Sequence, residues 1–102
     1  MITRDDVIDE WVYCNDDDDR CILTKRNIPE ELIPDIINYA NEFIENPEII
    51  DQTEKTAFSK LSDGDKQAVS IYRAFIKYLP SYIRDFDLIV DSAYDNMNII
   101  LR

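Results

Sequence analysis

The sequence predicts an all-α protein, a compact bundle of four to five helices joined by short loops. Three observations carry this. Apolar residues recur three and four apart along most of the chain, and alternation at period two is never sustained for one good strand. One glycine occurs in 102 residues, whereas antiparallel hairpins lean on residues that tolerate positive φ. With 45% hydrophobic and 11% aromatic residues, the chain holds enough apolar material to fold without staples. Its length fits one acidic helical domain over residues 1–102.

Thr3 followed by Asp6 reads as a capping box, after which Val7, Ile8, Trp11 and Val12 share one face. A first helix is expected over about residues 4–14, ending at the run Asp16 to Asp19. Four apolar-leaning residues, Cys21 to Thr24, are too few for periodicity to decide between a helical turn and an extended piece. Leu32, Ile33, Ile36, Ile37, Ala40, Phe43 and Ile44 form a continuous stripe at the 3.6-residue period and predict a second helix. Pro29 suits a first-turn position, and Pro34 either begins the regular helix or kinks its opening turn. Asn46-Pro47 is the expected stop. A weaker helical segment follows over about residues 47–60, carrying Ile49, Ile50, Ala57 and Phe58, with Leu61 just beyond.

Ser62-Asp63-Gly64-Asp65 is the clearest start signal, a hydroxyl cap with two acids in the first turn. Behind it, Ala68, Val69, Tyr72, Phe75, Ile76 and Leu79 predict an amphipathic helix of about four turns that ends at Pro80. Ser81 then caps a last helix with apolar positions Ile83, Phe86, Ile89, Val90, Ala93, Tyr94, Met97, Ile100 and Leu101. Most aromatics are assigned to the core. Tyr13, Tyr39 and Tyr78 fall off the stripes and are candidate exposed anchors.

The chemistry that is missing narrows the function. Histidine is absent, which removes the commonest general base and transition-metal ligand. A single glycine leaves no phosphate-cradling loop, and neither Cys14 nor Cys21 has a histidine to activate it. Two cysteines do not complete a zinc site. They read as free thiols in a reducing cytosol, or alternatively as a clasp across the acidic run. Asp16 to Asp19 and Asp63-Gly64-Asp65 lack the Asp-x-Asp-x-Asp-Gly spacing of a calcium loop and read as a solvated loop and a helix cap. No catalytic residue, cofactor or metal is expected. The N-terminal residues have no signal-peptide character and no apolar run is long enough to span a bilayer, so a soluble, cytoplasmic protein is expected.

Charge is the most informative property. Twenty-two acids against eleven bases leave a net charge of −11, which disfavours direct binding to nucleic acid or to an anionic membrane. Residues 1–20 carry −6 and residues 21–50 carry −4, while 51–80 carry +1 and 81–102 carry −2. Asp35, Asn38, Glu42 and Glu45 project to one polar face of the second helix. Asp87, Asp91 and Asp95 recur every fourth residue on the last helix, a row that Asn98 extends. Four residues rise about 6 Å along a helix axis, close to the spacing of successive phosphates on one strand. Part of this charge is expected to pair with Lys66, Arg73 and Lys77, which align on the penultimate helix.

The expected function is therefore non-enzymatic: an acidic inhibitor that occupies the basic nucleic-acid-binding surface of a partner protein, through Asp16, Asp17, Asp18, Asp19, Glu42, Glu45, Asp87, Asp91 and Asp95. In size and charge the chain resembles small phage-encoded anti-restriction and anti-CRISPR proteins, a resemblance of style with no shared motif, which implies action in the host cytoplasm. Two alternatives share part of the pattern: an immunity protein or antitoxin that neutralises a bacterial toxin, and a structural oligomerisation module such as a homodimer.

Overall fold

The computed structural model describes residues 1–16, 28–46, 52–81 and 87–101, and for residues 14–16, 52–54, 81 and 87–89 the backbone alone. Among the described residues run five α-helices and no strand: α1 (Arg4–Asp16), α2 (Ile33–Glu45), α3 (Gln52–Ser59), α4 (Asp63–Tyr78) and α5 (Asp87–Leu101). Short 3-10 turns occupy Glu30–Leu32 and Leu79–Ser81. The all-α bundle expected from periodicity is the fold observed. The segment Cys21 to Thr24, Ile49, Ile50, Ile83, Phe86 and any pairing of Cys21 lie outside the described residues.

The helix ends follow from local chemistry. Thr3 N–H donates to Asp6 Oδ2 at 2.9 Å, and Asp6 N–H donates back to Thr3 Oγ1 at 3.4 Å. This reciprocal box uses an aspartate where glutamate is commoner, and satisfies two donors at the start of α1. Pro34 is the second residue of α2, a first-turn position where its missing N–H costs the helix no internal bond, so it begins the regular helix. Asn46 leaves helical backbone at φ −146° and ψ 74° while its N–H still reaches Glu42 O at 2.9 Å. At α4, Ser62 Oγ accepts from Asp65 N–H at 3.2 Å. That helix closes at Tyr78, and Pro80 falls in the 3-10 turn beyond it.

Helix α4 is the centre of the bundle. Ala68 to Tyr72, Ala74 and Phe75 are all buried, and the helix packs most extensively against α2 on one flank and α5 on the other. Helix α1 lies against α2, α4 and α5, and α3 rests on α5. Phe75 is fully buried and meets the edge of Trp11 at 5.7 Å and Tyr72 at 6.4 Å between ring centroids. Such pairs add roughly 0.5–1.5 kcal/mol beyond the area they bury. Phe58 meets Phe43 at 5.2 Å and ties the short helix α3 into the core. Ahead of α1, Ile2 is buried and its N–H donates to Asn41 Oδ1 at 2.9 Å, fixing the chain start onto α2. The radius of gyration, 12.9 Å, matches the ~13 Å of a compact chain this long.

Some faces differ from the periodic expectation. Val12 is 49% exposed, because a fifth residue after Val7 lies about 140° round the helix from it. Tyr94 is 46% exposed; it sits on the margin of the α5 stripe, where α4 leaves an open cleft. Tyr39 and Tyr78 are half-buried and packed edge to face at 6.0 Å, so of the three expected anchors only Tyr13 is exposed, at 52%. Ser92 and Asn96 are buried on α5, and Asn96 lines a cleft shared with α1. No helix among the described residues is long and apolar enough to cross a membrane.

Candidate functional site

The carboxylate rows occupy outward helix faces. Asp35, Asn38, Glu42 and Glu45 are all exposed on α2, opposite buried Ile33, Ile36, Ala40 and Phe43. On α5, Asp91, Asp95 and Asn98 are exposed while Val90, Ala93 and Met97 face inward. The two rows do not merge, because α2 and α5 pack on different flanks of α4 and not extensively on each other. Asp16 and Asp87 are described only as the last residue of α1 and the first of α5. Asp17, Asp18 and Asp19 lie outside the described residues.

Among the described residues no acid pairs with the cations of α4. Among the described residues the one ion pair joins Arg4 to Glu30, both exposed. The Arg73 guanidinium lies 5.0 Å over the Phe43 ring, and the Lys77 ammonium 4.9 Å over Tyr39. Side chains of α4 reach these rings because α2 packs alongside, a neighbour that a projection of α4 alone does not contain. Glu42, Glu45, Asp91 and Asp95 consequently keep their charge unpaired among the described residues.

A second acidic feature is not a row. Where the C-terminal half of α1, the first turns of α4 and the last turns of α5 converge, a cleft of about 430 Å³ opens. Asp9, Glu10 and Asp65 supply carboxylates, and Tyr13 and Ile99 form exposed apolar lips. Buried Tyr72 donates its hydroxyl to Glu10 Oε2 across the cleft wall. Burial raises the Glu10 carboxyl above its ordinary value; the Tyr72 hydrogen bond opposes the shift, and neighbouring Asp9 and Asp6 reinforce it. The cleft adjoins the α5 row, since Asp95 and Ile99 are one turn apart on the same helix.

Negative walls with apolar lips suit a cation on an apolar stem, which describes a lysine or arginine side chain. Glu10 is the site residue that composition and charge rows miss. Its signal was present in the pattern: three residues after buried Val7 and beside buried Trp11, it borders the apolar stripe of α1. Asn96 carries a fainter signal, three residues after Ala93. Among the described residues no group of three or more Cys, Asp or Glu is arranged to hold a metal ion. Comparison with protein-family models, with curated proteins and with solved structures returns no match to this chain.

Proposed function

We propose that this protein is a non-enzymatic inhibitor that binds a partner protein on its basic, nucleic-acid-binding surface and occupies it in place of DNA or RNA. The observation that carries the reading is the set of exposed carboxylates Glu42, Glu45, Asp91 and Asp95, unpaired among the described residues on a chain of net charge −11. An acidic face that serves solubility alone gains nothing from like charges aligned at i, i+4, as Asp91 and Asp95 are, which disfavour the helix by about 0.2–0.5 kcal/mol per pair. The cleft of Asp9, Glu10 and Asp65 adds a place for one protruding lysine or arginine of the partner, and Tyr13 and Ile99 supply apolar area beside it. Opposite charge would steer the encounter, making association fast and salt-sensitive. In this arrangement the protein acts as phage anti-defence inhibitors of similar size and charge do.

The test is a pull-down from host lysate at about 50 mM and about 500 mM salt with identification by mass spectrometry, followed by competition with duplex DNA or RNA. A nucleic-acid enzyme that elutes with salt, and that nucleic acid displaces, is the expected capture. Asp91→Lys with Asp95→Lys should weaken it at least tenfold. A toxin as that partner would place the protein among immunity proteins acting by the same physics. A partner without a basic surface, held equally in high salt, would overturn the proposal, as would self-assembly indifferent to salt and to those substitutions.

A further inference from the structure

A second cleft, of about 240 Å³, opens on the other exposed strip of α4, between α2 and α5. It is lined by Tyr39, Arg73, Ile76, Lys77, Tyr94 and Met97. Its character is opposite to that of the rest of the molecule. Arg73 and Lys77 stand one turn apart, and neither forms an ion pair among the described residues, although acids outnumber bases two to one in the chain. The Arg73 Nε is buried with no hydrogen-bond partner among the described residues, which leaves the terminal guanidinium nitrogens as the donors that can face the cleft. Its guanidinium rests on Phe43, and Lys77 lies 4.9 Å from the Tyr39 centroid and 5.8 Å from that of Tyr78. The rings hold both cations at the cleft wall but accept no conventional hydrogen bond, so the terminal guanidinium nitrogens and the ammonium stay available to an anion.

We infer that this cleft binds a carboxylate carried on a flat apolar group, a small aromatic acid. The carboxylate meets Arg73 and Lys77, where a guanidinium offers paired donors in the plane a carboxylate requires. The flat group lies against Tyr94, Ile76 and Met97, whose ring, aliphatic and thioether surfaces suit an aromatic face. Size sets the class: an apolar cavity of about 150 Å³ accommodates benzene, so 240 Å³ leaves room for a ring and a carboxylate, about ten non-hydrogen atoms. The site is separate from the acidic cleft beside α1, and the carboxylate rows border it, with Glu42 one turn from Tyr39 and Asp91 one turn from Tyr94.

Titration of the full chain with sodium benzoate, followed residue by residue by NMR, tests this. Saturable shifts are expected around Tyr39, Ile76, Lys77, Tyr94 and Met97, with a dissociation constant on the order of 1 mM for a ligand so small. Benzyl alcohol, with the ring but no charge, and acetate, with the charge but no ring, should each bind at least about fivefold more weakly. Arg73→Gln should weaken benzoate at least about tenfold, and Lys77→Met, at an exposed position that keeps its apolar stem, about threefold. Circular dichroism confirms that each variant is folded, and Lys77→Met decides the matter should Arg73→Gln not fold. The inference is overturned by benzyl alcohol binding as tightly as benzoate, by folded variants retaining full affinity, or by no saturation below about 20 mM.

Discussion

Glu10 is where the acidic character of this chain meets its core. Half-buried beside Trp11, it accepts the Tyr72 hydroxyl, and burial raises its carboxyl above the ordinary value. The sign of the consequence follows. A raised carboxyl binds its proton more tightly in the folded protein than in the unfolded chain, so its charge works against the fold. That penalty is absent below the unfolded value near pH ~4.3, grows as pH rises toward the folded value, and is constant above it. Glu10→Gln does not titrate and keeps an oxygen to accept from Tyr72. It should therefore raise the melting temperature at pH 7 by roughly a few degrees, with the difference closing at about pH 4. Scanning calorimetry of both proteins at the two pH values reads this directly. A loss of stability at pH 7 would mean that the Tyr72 hydrogen bond to the charged carboxylate outweighs its burial.

At the scale of elements, the start of α4 concentrates the most testable local chemistry. Ser62 caps the helix through the Asp65 N–H, and Ser62→Ala should destabilise the protein by about 1 kcal/mol. Gly64 holds no positive φ, and a Cβ built on it meets nothing within 4 Å. Gly64→Ala should accordingly stabilise by about 0.4–1 kcal/mol, chiefly by restricting the unfolded chain. Urea unfolding of the two variants should move the midpoint in opposite directions with an unchanged slope; a destabilised Gly64→Ala would show that the N-terminal turn of α4 needs the freedom of glycine. Both cap and glycine were legible in the sequence, as were the α2 stripe and the Thr3/Asp6 box, because each depends on residues within four of one another. What was not legible depends on neighbours. Tyr39 and Tyr78 leave solvent because α2 and α4 lie side by side, Asn96 is buried at the cleft that α5 shares with α1, and Arg73 and Lys77 lie over rings, with no acid paired to them among the described residues, for the same tertiary reason. The outward position of Glu42, Glu45, Asp91 and Asp95 follows from helical period alone, whereas the acidic cleft needs three helices to converge.

For the whole molecule, salt separates the two things its net charge of −11 does. The principal extents are 37, 26 and 22 Å, and the Debye length is about 30 Å at 0.01 M salt and about 8 Å at 0.15 M. At the lower ionic strength carboxylates on α2 and α5 feel one another across most of the fold; at the higher one each feels only near neighbours. With a single ion pair among the described residues to offset it, this self-repulsion destabilises the folded state, and screening relieves it. The melting temperature should therefore rise by several degrees between 0.01 and 0.15 M sodium chloride, about 1 kcal/mol or more for a chain this size. Association with a basic partner depends on the same carboxylates with the opposite sign, so its rate and affinity should fall across the same range. Thermal melts and stopped-flow association in matched buffers give both slopes. Asp91→Lys with Asp95→Lys should flatten both together, since both slopes arise from one field. Stability indifferent to salt would show that the acids do not repel one another appreciably. Association that strengthens with salt would show the contact to be apolar and would sink the proposed mimicry of nucleic acid.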